Sequence, residues 1–129
     1  MSAARLYRVI LPVSDIEEAA SFYRAVFDTP GERVSPGRHY FDCGGTILAC
    51  YDGKADGDEA AEWKFHPFQY LYFGVNDLEA TMERVRHAGG SIDGAIETMP
   101  WGERLFYARD KSGSRICFAD ETTLFTGED

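Results

Sequence analysis

Metal and thiol chemistry need donors that converge. The chain carries three histidines, His39, His66 and His87, and three cysteines, Cys43, Cys50 and Cys117. The histidines share no metal-ligand spacing. Three thiols cannot all pair within one chain, and their spacing shows no disulfide framework. There is no G-x-S-x-G, no phosphate-binding Gly loop and no dinucleotide fingerprint. Gly44-Gly45 reads as a strand turn. What stands out is aromatic content, 14% of the residues. Such side chains bury large areas and also line ligand sites.

A chain of 129 residues with 44% hydrophobic content holds one domain with one ordinary core. The formal net charge of -9 argues against nucleic acid, whose phosphates it repels. It also disfavours an anionic membrane surface. It suits either a cationic ligand or simply a solvated acidic surface. No apolar run approaches membrane-spanning length. The first residues show no apolar stretch followed by a small-residue cleavage site. Cytoplasmic location is the expectation.

One unit is written twice. Residues 6–13 read as a strand, and Ser14 with Glu17 offers a capping box. Ile16, Ala19, Ala20, Tyr23, Val26 and Phe27 share a helical face, which Pro30-Gly31 ends. The pattern returns with strand Tyr70–Val75, the cap at Asn76-Asp77 and a face of Leu78, Met82, Val85 and Ala88, ended by Gly89-Gly90. Val13 and Val75, Asp15 and Asp77, and Glu17 and Glu79 all stand 62 positions apart. Strands follow each helix: Glu32–Ser35, 39–43 and Thr46–Tyr51, then Ser91–Thr98, Arg104–Arg109 and 115–119. Each half is β-α-β-β-β, a unit that does not bury its hydrophobic face alone. The spacing gives module one at about 5–52 and module two at about 68–120. Between them lies an acidic linker, 53–67, with room for a helical turn near 59–63. An acidic tail, 121–129, reads as loosely held.

Two such modules in tandem resemble the vicinal oxygen chelate superfamily, which includes glyoxalase I, extradiol dioxygenases and bleomycin-resistance proteins. Val13-Ser14-Asp15-Ile16 with Ser21-Phe22-Tyr23 is similar to its first strand-to-helix junction. Pro100-Trp101-Gly102-Glu103-Arg104 and Asp110-Lys111-Ser112-Gly113 are similar to its late turns. The resemblance implies an α+β fold whose curved mixed sheets surround a cleft. It implies a homodimer. It also implies, in metal-dependent members, a divalent ion held by residues of the first and last strand of each module. Counting from shared landmarks puts those positions at Arg8, Leu48, Tyr70 and Cys117. None matches the family's His, Gln or Glu. Arg has no lone pair to give and Leu is inert. One soft thiol does not hold a hard ion. Of the neighbouring positions only Gln69 is a plausible ligand. The expectation is no metal and no cofactor.

Within that fold, strand alternation turns Leu6, Arg8, Ile10 and Pro12 into the cleft, and Tyr7, Val9, Leu11 and Val13 toward the helix. Tyr70, Tyr72, Leu48, Cys50, Arg115, Cys117 and Ala119 also face in. Trp101 lies where the family closes over its ligand. The expected ligand contacts are Arg8, Leu48, Cys50, Tyr70, Tyr72, Trp101, Arg104 and Cys117. Arg8, Tyr70 and Cys117 are the candidates for any catalysis. Arg8 places a fixed charge near the family's cation position, where it can hold an anionic oxygen. Its other role is an ion pair with a carboxylate such as Glu97 or Glu103. Tyr70 and Tyr72 also fit plain cross-strand packing, Trp101 a plug under a loop, and Cys117 a small buried hydrophobe. His39 and His66 are candidates for the rim. The leading expectation is a protein that binds a small aromatic or anionic molecule, similar to the bleomycin-resistance branch. The alternatives are a lyase, dioxygenase or isomerase, with or without metal, and a pure interaction domain.

Overall fold

A computed structural model describes residues 4–58, 64, 66 and 68–125. The chain divides into two compact units, Met1–Lys64 and Phe65–Asp129. In the first, the order is β1 (Arg8–Pro12), α1 (Ile16–Phe27), β2 (Glu32–Ser35), β3 (Arg38–Cys43) and β4 (Thr46–Tyr51). In the second it is β5 (Tyr70–Val75), α2 (Leu78–His87), β6 (Ser91–Thr98), β7 (Arg104–Arg109) and β8 (Arg115–Asp120). Each unit is the expected β-α-β-β-β module. Its sheet is mixed, in the order β1-β4-β3-β2 or β5-β8-β7-β6. The first strand pairs parallel with the last, and the other pairings are antiparallel. The helix between first and second strands supplies the crossover that a parallel neighbour requires.

Both helices start one residue later than the capping boxes suggest. The caps are Asp15 and Asp77, whose carboxylates accept from the backbone N–H of Glu18 and Ala80 at 3.0 Å each. An ionised acceptor satisfies an orphan N–H and also meets the positive end of the helix dipole, so it prevails over Ser14 and Asn76. Glu17 is thereby released and pairs with Arg33 at 2.7 Å. The first helix ends at Asp28, which takes the left-handed conformation at φ 53°.

Each helix covers one face of its own sheet. In the first module Tyr23 and Phe22 are fully buried, and Tyr23 and Phe27 both meet the Phe41 ring of β3. In the second, Leu78, Thr81, Met82 and Val85 are buried. The Thr81 hydroxyl donates to Asp77 O at 2.8 Å, which lets a polar residue sit inward.

The start of the linker belongs structurally to module one. Asp52 accepts from the Ile16 N–H and from the Ala55 N–H. Asp56 accepts from the Gly37 N–H at 2.9 Å. Gly37 is required there, because a Cβ would come 2.1 Å from Asp52 O. The helical turn expected near 59–63 lies outside the described residues. Among the described residues no helix is long and apolar enough to cross a membrane.

Candidate functional site

Register decides which side chains share a face. In the first sheet, Arg8 lies opposite Ile47, Ile10 opposite Ala49, and Tyr40 opposite Ala49. Arg8, Ile10, Ile47, Ala49, Tyr51, Arg38, Tyr40 and Asp42 therefore lie on the face turned away from α1. Val9, Leu11, Leu48, Cys50, His39 and Phe41 lie on the face that α1 covers. Leu48 and Cys50, expected among the ligand contacts, are thus core residues, 4% and 0% exposed. The cause is a slip in the landmark. Arg8 pairs with Ile47 and Tyr70 with Arg115, so the two final strands correspond at Ile47 with Arg115 and at Ala49 with Cys117. Ile47 and Ile116 are one position out of step, and the residue equivalent to Cys117 is Ala49.

His39 is likewise core rather than rim. It is 3% exposed. Its Nδ1 accepts from Arg33 Nε at 3.2 Å and its Nε2 lies 2.9 Å from Pro30 O. These two contacts require the neutral tautomer with the proton on Nε2, which ties the loop after α1 to the sheet. Tyr7, expected to pack inward, precedes the first strand and is 55% exposed.

The arginine on the outward face is held by a tyrosine. Arg8 Nη1 donates to Tyr40 Oη at 3.0 Å, and Arg38 Nη1 donates to the same oxygen at 3.2 Å. The Arg8 guanidinium lies 5.3 Å from the Tyr7 ring centroid and 5.6 Å from that of Tyr40. Arg38 lies over the Tyr51 ring at 4.7 Å and reaches Asp56 at 3.5 Å. Such cation–π contacts are worth roughly 0.5–1 kcal/mol at exposed sites. The Arg38 hydrogen bond, with Arg8 adding to it, pulls the Tyr40 hydroxyl below the ordinary tyrosine pKa. Neither Tyr40 nor Arg38 is singled out by the sequence reading. The signal for Tyr40 lies in alternation: it sits between His39 and Phe41, both of which are buried.

In the second sheet, Tyr70, Tyr72, Arg115, Cys117, Ala119, Leu105 and Tyr107 share the face turned away from α2. Tyr70 and Tyr72 are 39% and 53% exposed, as alternation requires. Tyr107, which joins them, is the counterpart of Tyr40. Its ring meets Tyr70 edge-on at 5.8 Å, and its hydroxyl lies 3.4 Å from that of Tyr72. That contact, with burial, raises the Tyr72 pKa above its ordinary value. Arg115 lies over Tyr70 at 5.6 Å. Cys117 is fully buried with Leu105 and Ala119, beneath Met99, Tyr107 and Leu124. Burial, and secondarily Glu103, pushes its thiol up to about 12. Its surroundings are those of a small buried hydrophobe, and they disfavour the thiolate form.

A model of the Glyoxalase/Bleomycin resistance protein/Dioxygenase superfamily matches residues 5–118. The chain belongs to this family. A lactoylglutathione lyase of Haemophilus influenzae is 24% identical over 136 aligned positions, covering 95% of this chain and 97% of that protein. Solved structures carry the same fold. A glyoxalase-related enzyme from Fulvimarina pelagi has a TM-score of 0.74 at 21% identity, covering 90% of this chain and 87% of that one. A glyoxalase/bleomycin resistance protein from Albidiferax ferrireducens has a TM-score of 0.74 at 18% identity, covering 88% and 95%.

The metal-ligand positions that the family resemblance implies, read with the register of the two sheets, would fall on Arg8, Ala49, Tyr70 and Cys117. A cation, a methyl group, a phenol and a protonated thiol do not suit a hard divalent ion. Among the described residues no group of three or more His, Cys, Asp or Glu side chains is placed to share a metal.

Two further expected contacts have partners within their own module. Arg104 pairs with Glu79 of α2 at 2.8 Å and with Asp120 at 3.7 Å, on the helix-covered face. Trp101 is 63% exposed, and its Nε1 donates to Glu103 at 2.8 Å. It is therefore not a plug under a loop. The tail is partly docked. Asp120 caps a 3₁₀ turn, Glu121–Thr123, after which Leu124 lies over Gly74, where a Cβ would come within 2.6 Å. Residues 126–129 are outside the described set.

Proposed function

We propose that this protein binds a small organic anion, aromatic in part, on the outward face of its first sheet and without a divalent metal. The observation that carries the reading is Arg8. It stands where the family resemblance implies a metal ligand, gives one hydrogen bond to Tyr40, and has N–H donors beyond it. Among the described residues no carboxylate pairs with it within its own module. A carboxylate or enolate oxygen gains charge-assisted hydrogen bonds there. The exposed Tyr7 ring and the half-buried Tyr51 ring offer flat apolar surface beside it. The similarity to bleomycin-resistance proteins supports a binding role. The protein is taken as a cytoplasmic homodimer, and light scattering of the purified chain checks the second point.

The full-length similarity to a lactoylglutathione lyase favours a second reading, a lyase, dioxygenase or isomerase. The test is calorimetry with benzoate and phenylpyruvate, each with and without chelator. Binding that is unchanged by chelator supports the first reading. Binding or turnover of a glyoxal adduct that requires added metal supports the second.

A further inference from the structure

The outward face of the second sheet carries aromatic rings and an uneven spread of charge. Tyr70, Tyr72 and Tyr107 have ring centroids 5.8 to 6.4 Å apart, and the Tyr107 plane stands at 74° and 83° to the other two. Each ring face is the negative side of a quadrupole. Arg115 already lies over Tyr70, which leaves Tyr72 and Tyr107 for a cation from solution. Charge is graded along the strands. Arg109 and Arg115 stand opposite each other at one end, and Arg109 pairs with Asp93 at 3.2 Å. Toward the other end, Glu97 stands opposite Leu105 and is exposed. Glu103 precedes β7 on the same parity as Leu105 and Tyr107, and its charge acts on Tyr72 and Cys117. The exposed Trp101 holds it, donating Nε1–H to Oε1 at 2.8 Å. Among the described residues no arginine or lysine pairs with Glu97 or Glu103.

We propose that the Tyr72–Tyr107 surface is a second binding site, which takes a quaternary ammonium ion with Glu103 as its counter-charge. Ring faces attract a cation. Few acceptors are left to meet an N–H. The Tyr72 and Tyr107 hydroxyls lie against each other at 3.4 Å, and one Glu103 oxygen is taken by Trp101. An ammonium ion with alkyl groups in place of its hydrogens needs no hydrogen bond, so it enters such a surface at less cost than a primary amine. Its methyl groups also cover apolar ring area. The net charge of -9 draws cations toward the molecule. The site lies within the second module and does not depend on the anion reading of Arg8.

The test is calorimetry of the full chain with benzyltrimethylammonium, beside benzylammonium and the uncharged benzyl alcohol. Benzyltrimethylammonium is expected to bind at least about tenfold more tightly than benzyl alcohol, and more tightly than benzylammonium. Tyr72→Leu removes a ring face and should weaken it by about three- to thirtyfold. Tyr72→Phe keeps the ring and should stay within about twofold of wild type. Glu103→Gln keeps an acceptor for Trp101 but loses the charge, so it should weaken binding and flatten its dependence on salt. Benzyl alcohol or benzylammonium binding as tightly as benzyltrimethylammonium overturns the proposal. So does a Tyr72→Phe loss as large as that of Tyr72→Leu, or an affinity that Tyr72→Leu or Glu103→Gln leaves unchanged. If Tyr72→Leu fails to fold, the ligand comparison and Glu103→Gln decide alone. An absence of benzyltrimethylammonium binding overturns the proposal and leaves the Arg8 reading standing.

Discussion

Arg8 shows how far a single residue type constrains chemistry. A guanidinium where the family resemblance implies a metal ligand repels a cation and attracts an anion. Truncating it removes a charge-assisted hydrogen bond, worth roughly 1.5–3 kcal/mol. Arg8→Ala should therefore weaken phenylpyruvate binding by about ten- to a hundredfold, read by calorimetry. The cysteines make the converse case. Burial raises both Cys43 and Cys117, the latter to about 12. Cys50 and Cys117 are fully buried. Alkylation of the native protein should spare both, and unfolding in denaturant should expose them. Labelling of Cys117 in the folded state at neutral pH would show that its packing is looser than described. Arg8, Tyr70 and Tyr72 were legible because a charge or a hydroxyl on an otherwise apolar strand marks the wet side. Arg104 looked the same in sequence. Its partners Glu79 and Asp120 lie 25 and 16 positions away, and no local pattern reports them.

At the scale of elements, the strands and helices were nearly all readable, because Gly-led turns and strong alternation punctuate the chain. The facing of β4 was not. Ile47, Leu48, Ala49 and Cys50 are apolar on both sides, so the strand carries no alternation to fix its parity. Only the pairing with β1 settles it. The caps were read one residue early, since Ser-Asp and Asn-Asp each offer two candidates. Asp15→Ala and Asp77→Ala should each cost about 1 kcal/mol in denaturant unfolding. Ser14→Ala and Asn76→Ala should cost much less. The linker's first turn makes a second prediction. Gly37→Ala drives a Cβ into the Asp52 carbonyl and should destabilise by about 1–3 kcal/mol. There, the Ser35 side chain, the Gly37 N–H and Arg38 together lower the Asp56 pKa. A carboxyl depressed on folding adds stability above its unfolded pKa, and that stability is lost as pH falls through the folded value. Asp56→Asn should thus flatten the acid side of the stability–pH curve, measured by chemical unfolding between neutral and strongly acidic pH.

For the whole molecule, two copies of one module explain the family likeness, while different residues at equivalent places give the two outward faces different chemistry. Arg8 corresponds to Tyr70, Ile10 to Tyr72, Ala49 to Cys117, and Tyr40 to Tyr107. The first module presents cations and a phenol on its outward face. The second presents three tyrosines, with Leu124 and Met99 packed over its apolar centre. The tandem module was legible because a repeat offset survives sequence divergence. What the outward faces would recognise was not, because recognition depends on groups that meet only through register. The most direct measurement is metal analysis of protein purified without chelator, followed by calorimetry with nickel, zinc, iron(II) and manganese, and then with phenylpyruvate. The account predicts no stoichiometric ion, and phenylpyruvate binding that chelator leaves intact and Arg8→Ala weakens. About one tightly held ion per chain, with phenylpyruvate binding lost on chelation, would contradict it.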